Sequence, residues 1–371
     1  MENEISHVKH PKLTLAKRGF FGRDTLSILG SPCSVIQSFG RKLQLALMDS
    51  HTTVWVDQDH AYFDTDIKSD TNFIARATQT FPDDWQINEL FPQEHIHPES
   101  SAKADLALIN GNHFQTDNEW ILFHPSKLKS LERKMDRVKN AKRWIISSEY
   151  LSLVNHLMNP EAIIIAPEND QLIIQTLKES CPVPPLKALI LAGGKSTRMG
   201  TDKRYLNYHG RPQQEFACNL TEEAGLPTFL SVSHEGNDAN ESSIQDRYIG
   251  LGPLGGILSA MMKDPNSAWL VLACDLPAFD QEALKCLINE RKTGKHATAF
   301  LNEQTGFPDP LCTIYEPKMY PKMLQFLAMG YSCPRKALIN STIQMVKAEK
   351  QEWLENVNTP EQFREIKSRM G

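Results

Sequence analysis

Short apolar runs alternate with longer amphipathic stretches along the chain, with polar loops between them. Runs at 26–29, 53–56, 106–109, 144–146 and 162–165, rich in Leu, Ile, Val and Trp, predict strands in the first half. In the second half, 187–191, 228–232 and 269–273 predict buried strands, with further strands at 298–301 and 311–315. Helical patterns fill most of the gaps. At 127–140, Leu128, Leu131, Met135 and Val138 fall at helical spacing among Lys and Arg, which predicts a solvated amphipathic helix rather than a nucleic-acid arm. Such alternation is the mark of α/β layering around mainly parallel sheets flanked by helices.

Cys181 is followed by three prolines in four residues, Pro182, Pro184 and Pro185. These remove backbone donors and favour an extended strut. The expected organisation is therefore two α/β domains, 1–180 and 186–371, and 371 residues suffice for two cores.

Composition narrows the partners. The 40% hydrophobic and 23% charged fractions are those of a globular chain, and no apolar run is long enough to span a bilayer, so no membrane role is expected. A formal net charge of -5 supplies no global field for nucleic acid, leaving only local anion pockets. Residues 1–12 carry Lys and His without the apolar segment of a secretory signal, and the cytoplasm is the expected location. Seven cysteines, an odd count with no Cys-x-x-Cys pair, argue against a disulfide framework and against a zinc knuckle.

Four stretches of the second half can carry chemistry. Residues 189–203 read Leu-Ile-Leu-Ala-Gly-Gly-Lys-Ser-Thr-Arg-Met-Gly-Thr-Asp-Lys, a strand opening into a glycine-rich turn. Gly193 and Gly194 let backbone N–H groups approach a triphosphate, and Arg198 and Lys203 add fixed positive charge where a transferred nucleotidyl group accumulates negative charge. Lys195 is a further cation in the turn. A Walker A loop is excluded, because the glycine it needs five residues before Gly194 is Leu189.

Asp275 lies just past the apolar run 269–273, where a carboxylate can join a hard cation such as Mg²⁺ to phosphate oxygens. Standing alone, an Asp there is more often a turn former or helix cap. Cys274 beside it reads as strand packing. Gly252, Pro253, Leu254 and Gly255, with Gly256, precede a helical pattern at 257–262 and offer backbone donors to a phosphate or a pterin, or else form a rigid loop. Near the end, Thr359, Pro360 and Gln362 compose a capping box, which leaves Asn356 and Asn358 to present amide oxygens, with Asn358 a candidate neutral metal ligand.

In order and approximate spacing these four elements resemble the molybdenum cofactor guanylyltransferases, over about 186–367. The resemblance implies a Rossmann-like nucleotidyltransferase domain. Backbone around Leu191, Ala192 and Gly193, and the side chain of Lys203, would contact the guanine nucleotide, and Asp275 would hold Mg²⁺. Asp246 matches an acidic position that the family uses for nucleotide contact. The implied substrates are GTP and molybdopterin or its molybdenum-loaded form, with molybdoenzyme apoproteins as recipients. Where the family often has an Asn after the second strand to read the base, this chain has Ser231-Val232-Ser233, so cytidylyl transfer or transfer to a sugar phosphate stays open. The segment 306–315, with Pro308-Asp309-Pro310, resembles one near the pterin side in relatives and carries no assigned role.

The first half resembles, more weakly, the P-loop GTP-binding adaptor that accompanies the guanylyltransferase. Residues 30–37 stand where its phosphate loop stands, but Val35 replaces the second Gly and Ile36 the Lys, and Asn110 stands at an acidic position. A degenerate P-loop domain without NTPase activity is expected, serving docking, homodimerisation, or delivery of the cofactor or of an acceptor protein. Asp57, Asp59, His60, Asp64 and Asp66 read as a solvated acidic loop rather than a cation site. A non-catalytic nucleotide-binding scaffold is the contrasting reading of the whole chain.

Overall fold

In the computed structural model the described residues are 24–47, 51, 53–58, 73–77, 87–88, 106–139, 141–181, 183–192, 203–233, 242–357 and 359–370. They contain two sheets. The first is built from β1 (Asp24–Leu29), β2 (Thr53–Gln58), β3 (Phe73–Ala77), β4 (Ile87–Asn88), β5 (Leu106–Asn110), β6 (Glu119–Leu122), β7 (Arg143–Ile145) and β8 (Ile163–Ile165). Its order is β4-β3-β2-β5-β1-β6-β7-β8, parallel throughout except at the β3/β4 edge. Helices α1 (Cys33–Leu47), α2 (Leu128–Glu132), α3 (Met135–Val138), α4 (Leu151–Val154) and α5 (Asp170–Ser180) accompany it.

Both faces of this sheet are covered. Leu26 and Ile28 of β1 join Ile36, Leu43, Ile173 and Leu177 of α1 and α5 in one core, while Leu29 joins Leu131, Trp144 and Val154 in another. A strand buried on both faces must be apolar at successive positions, which is why these strands read as continuous runs.

The segment 127–140 departs from the expected single solvated helix. It is a 3₁₀ turn (Pro125–Lys127) followed by α2 and α3, broken at Arg133 and Lys134. Two of its cations turn inward. Lys134 donates to the carbonyl of Asn112 at 3.2 Å, and Arg137 pairs with the buried carboxylate of Glu119 and reaches the carbonyl of Phe114. The break gives both side chains that reach, while Leu131 and Val138 still enter the core as the spacing predicts.

The second sheet comprises β9 (Leu186–Leu191), β10 (Thr228–Val232), β11 (Ser243–Gln245), β12 (Ala268–Ala273), β13 (Ala297–Asn302), β14 (Phe307–Tyr315) and β15 (Ile343–Lys347). Its order is β11-β10-β9-β12-β14-β13-β15, and β14 alone runs against its neighbours. Helices α6 (Gln213–Glu223), α7 (Pro253–Lys263), α8 (Gln281–Asn289), α9 (Met319–Ala328), α10 (Pro334–Ile339) and α11 (Pro360–Met370) surround it. Ala188, Ile190, Leu270 and Leu272 face one core with α6 and α8, and Leu189, Trp269 and Val271 face the other with α7 and α9. Cys274 is buried in the first of these cores, as packing predicts.

All seven cysteines are free thiols. No helix among the described residues is long and apolar enough to cross a membrane.

At the base of the sheet the Lys187 ammonium meets Asp264 Oδ2 at 2.6 Å, and Ser267 Oγ donates to the same oxygen at 2.6 Å. Burial pushes the Asp264 carboxyl up, but hydrogen bonds from Lys187, Ser267 and the Asn266 N–H outweigh it, and the net shift is below 3.8. A depressed carboxylate stabilises the fold above its unfolded pKa, and that contribution is lost as pH falls through the folded value. Asp264→Asn is therefore expected to cost about 1 kcal/mol at neutral pH, discounted for the pair's partial exposure. Parallel urea melts should show the deficit closing as pH drops below 3.8.

Candidate functional site

Register brings the strand ends of the second sheet to one rim. Leu191 of β9 pairs with Ala273 of β12 and with Ser231 of β10, and Ser231 pairs with Ile244 of β11. The loops after these four parallel strands therefore leave from the same edge, where ligands bind in open α/β sheets. Leu191 and Ala192 stand there as the sequence predicts. Gly193, Gly194, Lys195, Arg198 and Asn358 lie outside the described residues, and Lys203 opens a 3₁₀ turn (Lys203–Tyr205) where the chain is again described.

Asp275 is half-buried two residues past the end of β12. Because β14 is antiparallel to β12, with Leu272 opposite Cys312, continuing that register sets Asp309 abreast of Asp275. Asp309 is only 3% exposed. Burial pushes its carboxyl above the usual range and the Asp275 charge adds to the rise, against the Leu311 N–H at 2.9 Å and the charge of Arg335. The sequence contained this second carboxylate in Pro308-Asp309-Pro310, but only the antiparallel pairing shows that it neighbours the first.

Tyr208 also faces Asp275. Burial raises its phenol well above the ordinary value, and the Asp275 charge raises it further. Its ring meets Phe363 of α11 edge-on with centroids 4.9 Å apart, which brings the last helix to this rim. The capping box that starts α11 is formed as expected: the Gln362 N–H donates to Thr359 Oγ1 at 3.3 Å, and the Thr359 N–H to Gln362 Oε1 at 3.2 Å.

The loop after β12 is held from outside. The carbonyl of Asp275 accepts from the Val357 N–H at 3.0 Å, that of Leu276 from Gln213 Nε2 at 3.5 Å, and that of Pro277 from His209 Nε2 at 2.9 Å. The His209 ring is stacked on Phe216 at 3.7 Å. Nothing in the hydrophobic pattern signals these contacts, which join segments about sixty to eighty residues apart along the chain.

The Gly-Pro-Leu-Gly-Gly stretch is largely helix rather than a loop ahead of one. Gly252 caps α7 at φ +57, in the left-handed region that favours glycine; Pro253 is the first helical residue, and the Gly255 N–H already donates to the Gly252 carbonyl at 2.9 Å. Gly255 and Gly256 serve close packing instead. A Cβ on Gly255 would sit 2.5 Å from the Tyr248 carbonyl oxygen and 2.7 Å from Asp246 Oδ2, and one on Gly256 would sit 2.6 Å from Ser231 Oγ. Asp246 fastens β11 to this helix, its Oδ1 accepting from the Tyr248 N–H at 2.9 Å and from Ser259 Oγ at 3.2 Å. Gly255→Ala must push backbone aside, and it is expected to destabilise by about 1–3 kcal/mol in a urea melt.

In the first half, β1 ends at Leu29 and turns through Gly30 at φ +98 into α1. Ser31 Oγ donates to the Leu122 carbonyl at 2.6 Å, and Cys33 Sγ lies 3.3 Å from His113 Nε2. Asn110 donates to Asp57 Oδ1 at 2.9 Å and accepts the Asn112 N–H at 3.1 Å, so its amide joins the end of β2, where Asp57 lies in the strand rather than in the expected loop, to the turn after β5. The other acidic residues grouped with Asp57, together with His60, lie outside the described residues. Among the described residues no cluster of three or more His, Cys, Asp or Glu could hold a metal ion.

Comparison with known proteins places the second half. Residues 188–343 match the model of the MobA-like NTP transferase domain. A Synechocystis molybdenum cofactor biosynthesis bifunctional protein is 33% identical over 186 residues, 49% of this chain and 54% of that protein, so the match spans about half of that relative's length. A Pseudomonas putida molybdenum cofactor guanylyltransferase is 30% identical over 190 residues, 49% of this chain and 97% of the relative. Among solved structures, molybdopterin-guanine dinucleotide biosynthesis protein A from Archaeoglobus fulgidus aligns with a TM-score of 0.42 and 20% identity over 49% of this chain and 97% of its own.

Proposed function

Through its second half the chain belongs to the molybdenum cofactor guanylyltransferase family, and from that premise we propose that it transfers GMP from GTP to molybdopterin, or to its molybdenum-loaded form, releasing pyrophosphate. The observation that carries this reading is the shared rim: register sets the exit of β9, which leads into the glycine-rich run, beside the exit of β12, which leads to Asp275. A nucleotide phosphate gripped by the first lies within reach of a cation held by the second.

The donor set suits Mg²⁺. Asp275 offers hard oxygen, half-buried, with a second carboxylate alongside, and Mg²⁺ is commonly held by one or two carboxylates with substrate phosphates and water completing the shell. In this reading Asp275 holds the ion and Asn358 adds a neutral oxygen. Bound magnesium would supply charge neutralisation and alignment of the phosphates. The chain supplies the rest. Backbone around Leu191, Ala192, Gly193 and Gly194 binds the nucleotide with Lys203, and Arg198 and Lys203 neutralise the departing pyrophosphate. Gly252 and Pro253, with Leu254 and Gly255 packed behind them, form the wall for the pterin phosphate that attacks the α-phosphorus. Asp246, tied to Tyr248 and Ser259, holds the nucleotide side of that wall in shape. Positioning and electrostatics suffice for an in-line displacement, so no covalent enzyme intermediate is required.

The proposed division is into domains 1–180 and 186–371, the first a degenerate P-loop domain without NTPase activity. Its support is a central β1 flanked by β5 and β6, turning tightly through Gly30 into α1, with Ile36 buried where a phosphate-gripping Lys would be needed. The test of the activity is incubation with Mg²⁺, molybdopterin and each of the four NTPs, with products identified by mass spectrometry. The expected product is the guanine dinucleotide. A cytosine dinucleotide would reassign the base, and no dinucleotide from any arm would overturn the reading.

A further inference from the structure

We infer that His209 is a positioning residue that sets the geometry of the Asp275 loop, acting through its hydrogen bond to the Pro277 carbonyl. The inference rests on the reading of Asp275 as the residue that holds the metal ion. Three consecutive carbonyls, of Asp275, Leu276 and Pro277, each accept a hydrogen bond from a different part of the chain: the Val357 N–H, Gln213 Nε2 and His209 Nε2. A loop leaving a strand end has no ladder partner to define it, and Pro277 has no N–H of its own to contribute. Its shape is therefore fixed by these outside donors.

His209 makes the shorter of the two side-chain contacts, 2.9 Å against 3.5 Å for Gln213. A carbonyl can only accept, so Nε2 carries the proton. The ring cannot swing freely, because it lies 10° from parallel to Phe216 with centroids 3.7 Å apart, and Phe216 belongs to α6. His209 is also placed between the turn at Lys203–Tyr205, where the chain comes back from the glycine-rich run, and α6. One imidazole thus ties the nucleotide side of the rim to the carboxylate side. Groups that orient a metal ligand from outside its shell alter affinity without touching the ion.

The test follows the Mg²⁺ concentration that gives half of the GTP-dependent rise in melting temperature, for the full-length parent and for His209→Ala, His209→Gln and Asp275→Asn. His209→Ala is expected to raise that concentration about tenfold, the lower end for residues that orient a ligand. Its GTP binding in EDTA should match the parent, and its kcat should fall while KM for GTP holds. His209→Gln, which restores an N–H, is expected to recover most of the loss. If His209→Ala does not fold, His209→Phe keeps the stack on Phe216 without a donor and reads the same quantity. An unchanged Mg²⁺ requirement in the donor-less variant, or no recovery with Gln, overturns the inference. A parental Mg²⁺ requirement in Asp275→Asn instead overturns the underlying reading of Asp275, so the two failures are distinct.

Discussion

Asp275→Ala is expected to lower GTP-dependent pyrophosphate release at least about a hundredfold, the loss of roughly 3 kcal/mol of transition-state stabilisation when a phosphate-aligning cation loses its carboxylate. The fold should survive. The link from Asp275 to Val357 runs through the backbone carbonyl and remains in the variant. The deleted carboxylate is half-buried, and its charge is one that helps push Asp309 up, so its removal relieves repulsion at the rim. Steady-state assays with a parallel thermal melt separate the outcomes. Full activity in the variant would contradict the proposed site, whereas lost activity with a parental melting temperature supports it.

The largest effect on stability is expected at Arg291. Its guanidinium grips Glu316 with both arms, Nε to Oε1 at 2.7 Å and Nη2 to Oε2 at 2.9 Å, and Nη2 also donates to the Pro184 carbonyl at 2.9 Å. Glu316 is 0% exposed, so its charge has no solvent to fall back on. Arg291→Ala strands that charge and is expected to cost about 3–5 kcal/mol. For a domain of this size that corresponds to a fall on the order of 10 °C in the melting temperature. Replacing both partners by Leu should cost markedly less than Arg291→Ala alone, because the desolvation of the pair disappears with its attraction. Urea melts of the single and double variants decide this, and equal losses in the two would show that the pair is not the source.

The central strands are legible because they are buried on both faces, whereas the edge run at 162–165 is legible by its isoleucines although Ile163 and Ile164 are exposed. The predicted strands at 26–29, 187–191 and 269–273 each lie inside an observed strand, since a doubly covered strand must be apolar position after position. The strands the pattern misses are short or carry polar residues whose burial depends on distant partners. β6 begins with Glu119, which is tolerable inside only because Ser27 and Arg137 reach it, and β11 reads Ser-Ile-Gln with one apolar side chain in three. The break between α2 and α3 is hidden for the same reason: periodicity sees Leu131 and Val138, but not the carbonyls that draw Lys134 and Arg137 inward.

The site divides in the same way. Asp275 is legible because an acidic residue directly after an apolar strand has few places to point. His209, Tyr208 and Asp309 are not, because each matters through a neighbour that is distant in sequence. The helical placement of Gly255 shows a further limit. A glycine pair ahead of an apolar pattern suggests exposed donors, and here the missing side chains admit Asp246 and Ser231 instead.

The reversed direction of β14 means that this rim is furnished from both kinds of strand terminus, by residues entering the sheet as well as by residues leaving it. The hairpin between β13 and β14 consequently turns at 303–306 on that same edge, so its length can change without interrupting β9 or β12.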